Sequence, residues 1–108
     1  MNKSDIVLSY ELIKSNFRIE KDIPGGVELS FDWLLNWLAD EVGSLMDEDF
    51  SAFLNVCYRI DLEEQKVKEI LTLESPNAIP RELSRYIIQR QLQKIESRRK
   101  YSDREEDG

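Results

Sequence analysis

Apolar residues in this chain recur three and four positions apart much more often than at every second position, which is the spacing of helices with one buried stripe. The clearest run is Phe31, Leu34, Leu35, Leu38, Val42 and Leu45. It predicts a helix over residues 31–46, opened by Ser30, whose hydroxyl can accept from a first-turn amide. A second stripe, Phe50, Phe53, Leu54, Cys57 and Ile60, predicts a helix capped by Asp47 or Asp49. Asp61-Leu62-Glu63-Glu64 has the spacing of a capping box, so a further helix is expected there, with Val67, Ile70 and Leu71 as its inner face. Ser75-Pro76-Asn77 ends it. Pro80 has no N–H to lose and suits the first turn of a long last helix, which reaches about Arg99 along the stripe Ile87, Ile88, Leu92 and Ile95.

The start of the chain is ambiguous. Ile6, Leu8, Tyr10 and Leu12 alternate as a strand would, while Ile6, Tyr10, Ile13 and Phe17 fit a helix equally well. Ser4 and Asp5 make a good helix start, so residues 5–17 are read as helix. Pro24-Gly25-Gly26 is the strongest punctuation and sets off residues 1–26 as a helical arm, packed on the core or on a partner. Residues 27–100 form the helical core domain, and 101–108 read as a disordered tail. The expected architecture is all-α: a compact bundle of four to five helices, up-and-down in order, with a long C-terminal helix.

Composition narrows the compartment and the chemistry. One domain is the natural reading of 108 residues. A single cysteine excludes an intramolecular disulfide and points to a reducing compartment. The first twenty residues break every apolar run with Ser, Glu or Lys, so neither a signal segment nor a membrane span is expected. A cytoplasmic location follows.

The chain has no histidine. Ser-His and Cys-His activation are therefore excluded, as are zinc sites that would need more ligands than one Cys can supply. Gly25-Gly26 lacks the spacing of a phosphate loop. A calcium loop starting at Asp47 would need Gly at its sixth position, where Ala52 stands. Cys57 lies within an apolar stripe and reads as core. Neither an enzyme, a cofactor nor a metal is expected.

Two features remain as candidates for contact with a partner. Trp33 and Trp37 lie one turn apart, with Ser44 continuing their row, on a face beside the main stripe. A helix apolar on more than one face is either covered on several sides or offers a second surface, and Trp is enriched at interface hot spots. Cover within the chain would come from Phe17 and Ile19. The second feature is charge: the net charge is −7, yet residues 81–108 hold 8 Lys and Arg against 6 acids, while residues 1–80 hold 7 against 16. Arg90, Lys94 and Arg98 share one flank of the last helix and Arg81, Arg85 and Arg99 the other, so no single basic face forms. Both flanks are expected to pair with acidic neighbours. The sequence thus reads as a small non-enzymatic interaction module, joining a second copy of itself or another protein. Nucleic-acid binding through the C-terminal helix is the alternative, disfavoured by the overall charge.

Overall fold

In the computed structural model of the chain, which describes residues 3–20 and 28–106 and the side chains of 4–20 and 28–100, the Ser30 hydroxyl accepts from the Trp33 amide at 3.1 Å. This opens α2, Phe31–Glu48. Asp49 then serves two helices: its N–H donates to the Leu45 carbonyl at 2.8 Å, and its carboxylate accepts from the Ala52 amide at 3.0 Å, opening α3, Phe50–Arg59. Of the two acids that could cap α3, Asp49 does so. Upstream, α1 spans Lys3–Phe17. Its buried set is Ile6, Ser9, Tyr10 and Ile13, at helical spacing, and Leu8 of the alternating pattern is exposed. Pro24-Gly25-Gly26 lies outside the described residues.

The capping box expected at Asp61 does not form. Asp61 takes the left-handed conformation, φ 63°, and terminates α3. Its N–H donates to the Tyr58 carbonyl, and the Leu62 N–H donates to the Cys57 carbonyl, both at 3.1 Å. This is the two-bond closure usually built on glycine, with Leu62 folding back into the core. Closing α3 fixes the Asp61 backbone, so its carboxylate faces Arg90 instead of the next helix. That helix, α4, spans Glu64–Leu71 and has no side-chain cap at its start; the Glu63 N–H donates instead to the Tyr86 hydroxyl at 2.9 Å. Arg18 closes α1 in the same way, at φ 55°.

The last helix, α5, spans Ala78–Glu106 and binds the others together. Near its start Pro80 lies over Gly43 of α2, and Arg81 donates to the Asn36 side chain at 2.9 Å. Midway, Tyr86, Arg90 and Lys94 meet the turn between α3 and α4, and further on Arg99 pairs with Asp5 of α1. The helix continues past its expected end near Arg99 and through residues 101–106, where a disordered tail was expected. No Pro or Gly separates Pro80 from Gly108, and the Arg, Lys and Glu residues there are good helix formers.

The all-α bundle with a long C-terminal helix is observed, and among the described residues no strand forms. Its center holds Ile13, Leu34, Leu38, Val42, Phe53, Leu83, Ile87 and Ile88, each with no exposed surface. Full burial of such a side chain stabilises by about 1.5–3 kcal/mol. They come from α1, α2, α3 and α5, so α4 stands at the margin, contributing Val67.

Candidate functional site

The two tryptophans are brought together as their spacing predicts. Their rings stack at 5.9 Å between centroids and 9° between planes. Tyr10 of α1 packs on both, at 5.9 Å from Trp33 and 4.9 Å from Trp37. Tyr10 is buried and each indole is half-buried. The cover comes from Tyr10, and not from Phe17 and Ile19, which line a cleft with Glu41, Ser44, Leu45 and Glu48 farther along α2. Ser44 is exposed at that cleft, away from the aromatic cluster.

The basic flank is used inside the chain. Arg90 donates from Nε to the Asp61 carbonyl and from Nη2 to its carboxylate, both at 3.4 Å. Lys94 Nζ donates to the Ile60 carbonyl at 2.6 Å. These two cations satisfy the C-terminal end of α3, where unpaired carbonyls and the negative end of the helix dipole favour positive charge. Burial lowers the Lys94 pKa, Arg90 and then Arg98 act in the same direction, and Asp61 opposes them. Arg98 is exposed, beside Leu8, Leu12 and Ile95.

Cys57 is buried, and burial pushes its thiol up to about 12. It stays protonated at neutral pH and is a poor nucleophile. Among the described residues no three acidic or Cys side chains gather as a metal site would require, and no helix is long and apolar enough to cross a membrane.

An apolar groove between α3 and α4 is the site that the periodicity did not single out. It encloses about 180 Å³ and is walled by Phe50, Leu54 and Tyr58 of α3 and by Leu62, Val67 and Leu71, with Cys57 along its α3 side and Glu64 and Lys68 along α4. Tyr58 is 62% exposed and Phe50 43%. The signal was present in the sequence. Projected at about 100° per residue, the apolar side chains of α3 run from Val56 through Phe53, Cys57, Phe50 and Leu54 to Tyr58, an arc of about 200°. A core-facing stripe needs roughly 100°. Val56 and Phe53 occupy the buried half of the arc, and Phe50, Leu54 and Tyr58 the half that faces the groove. With eight residues against ten, α4 leaves part of that second half open.

Comparison with protein-family models, with curated proteins and with solved structures finds no match to this chain.

Proposed function

We propose that this chain is a non-enzymatic protein-interaction module whose contact surface is the groove between α3 and α4. The observation that carries the reading is the width of the α3 apolar arc, about twice what its core contact needs. An aromatic pair left in water beside half-buried leucines is the kind of surface that gains most when a partner covers it, and such anchors dominate binding energy at interfaces. The groove follows two helices for about two turns, a form suited to an amphipathic helix laid into it.

The module joins another protein in preference to pairing through its tryptophans. Two copies meeting at Trp33 and Trp37 is the weaker form of the same reading, because Tyr10 of the same chain already packs on both rings. Nucleic-acid binding is weaker still, since Arg90 and Lys94 are engaged at the end of α3. A buried, protonated Cys57 fits a reducing, cytoplasmic setting.

The test is a photo-reactive side chain introduced at Tyr58 in the source cells. The reading predicts one discrete adduct, lost when Phe50→Ser is added, and none when the same group replaces exposed Asn36 on α2. Equal labelling from both positions, or none from Tyr58, would contradict it. An adduct of twice the chain's own mass would identify a second copy as the partner.

A further inference from the structure

We infer that α1 is a releasable arm: it leaves α2 and α5 as one unit while the other helices stay packed, and its opening uncovers Trp33 and Trp37. The observation that carries this is a pair of polar side chains along the contact between α1 and α5. The two helices run antiparallel, with Asp5 paired to Arg99 and, farther in, Leu8 and Leu12 sharing a cleft with Ile95. Ser9 lies in this stretch of α1 with no exposed surface, and Gln91, one turn before Ile95 on the buried side of α5, is 3% exposed. Solvent reaches neither the Ser9 hydroxyl nor Gln91 Nε2, and neither atom has a hydrogen-bond partner among the described residues. A polar group held dry and unpaired favours the open state, where water satisfies it.

Asp5 with exposed Arg99, and the Asn16 carbonyl with exposed Arg59 at 3.3 Å, tie the two ends of α1 at the surface. The other helices are joined without it. Pro80 lies over Gly43, Arg81 bonds Asn36, and Tyr86, Arg90 and Lys94 hold the turn between α3 and α4. Leu34, Leu38, Val42, Phe53, Leu83 and Ile87, all without exposed surface, come from α2, α3 and α5 alone. Opening α1 therefore withdraws Ile6, Tyr10 and Ile13 from the core and leaves the rest of it in place. Because Tyr10 packs on both indoles, their rings are what the opening exposes.

The test is amide hydrogen exchange of the full chain, read by mass spectrometry. In the parent, α1 amides should exchange about tenfold or more faster than those at the center of α2 and α5. Lys94→Met, which weakens the end of α3, should speed exchange in α2 and α5 and leave α1 unchanged. Ser9→Ala/Gln91→Leu should slow α1 exchange about tenfold, because both unpaired groups are gone. Ser9→Ala alone should slow it more than Ser15→Ala, an exposed position of α1 that brings the same gain in helix propensity without a buried hydroxyl. A single exchange rate across α1, α2 and α5 in the parent would overturn the inference, as would Ser9→Ala slowing α1 no more than Ser15→Ala does.

Discussion

The Tyr10 ring lies 4.9 Å from the Trp37 ring and tilts 51° to it. Through this contact α1 becomes part of the core, since Tyr10 is 5% exposed and sits beside Ile6 and Ile13 in the same buried cluster. Tyr10→Ala should cost about 3 kcal/mol, the usual scale for deleting a buried aromatic ring. It should also move the tryptophan emission to longer wavelength. In the unaltered chain the emission should not change with dilution, because the covering ring comes from the same molecule. Emission that reddens as the protein is diluted would show that a second copy does the covering.

Lys94 and Arg98 look alike in the sequence, one turn apart on one flank, yet only Lys94 reaches a helix end. Lys94→Met keeps the aliphatic stem and removes the charge-assisted bond to Ile60, so it should cost about 1 kcal/mol in urea denaturation. Arg98→Met should stay within about 0.5 kcal/mol of the parent. Equal effects would mean that the cap contributes nothing.

How much of this was readable in advance follows from the range of the interactions involved. The α2 stripe was legible, with Leu34, Leu35, Leu38 and Val42 all buried as their spacing demands. Ser30 was legible too, because an N-cap depends on residues three apart. Asp61 misled because its identity suits a helix start, while its left-handed backbone closes the preceding helix, a role more often signalled by glycine. The Trp pair was visible, but its cover was not: choosing Tyr10 over Phe17 and Ile19 depends on how α1 crosses α2, which local spacing does not encode. Likewise the arc on α3 could be counted from the sequence, whereas its partial opening depends on where the shorter α4 docks.

Gly43 lies within α2, and a Cβ built there meets Pro80 no closer than 3.7 Å, an ordinary packing distance. Gly43→Ala should therefore raise stability by about 0.5–1 kcal/mol, as helix propensity and reduced unfolded-chain freedom both favour alanine. A loss of stability in thermal denaturation would show that α2 and α5 approach more tightly here.

Cys57 makes stability fall at high pH. Its thiol is raised from 9.0 to about 12 by burial, so between these values the unfolded chain ionises while the folded chain holds its proton. The unfolded state then binds fewer protons, and unfolding becomes easier by up to about 1.4 kcal/mol per pH unit. The contribution is intact below pH 9.0 and is lost as pH rises toward 12. Denaturation of the parent and of Cys57→Ala at pH 8 and pH 10 isolates the effect, since other groups cancel in the difference. The stability advantage of the parent over the variant should shrink by about 1 kcal/mol between the two; a constant difference would mean that the thiolate is accommodated in the fold.

Side-chain oxidation footprinting tests directly whether the α3/α4 groove is covered in the cell and open in the isolated chain. Phe50 and Tyr58 should be oxidised readily in the purified protein and several-fold more slowly in the cells that make it. Leu8, about as exposed as Phe50 at 40%, should react alike in both. Unchanged rates at Phe50 and Tyr58, or equal protection of Leu8, would mean that no partner occupies the groove.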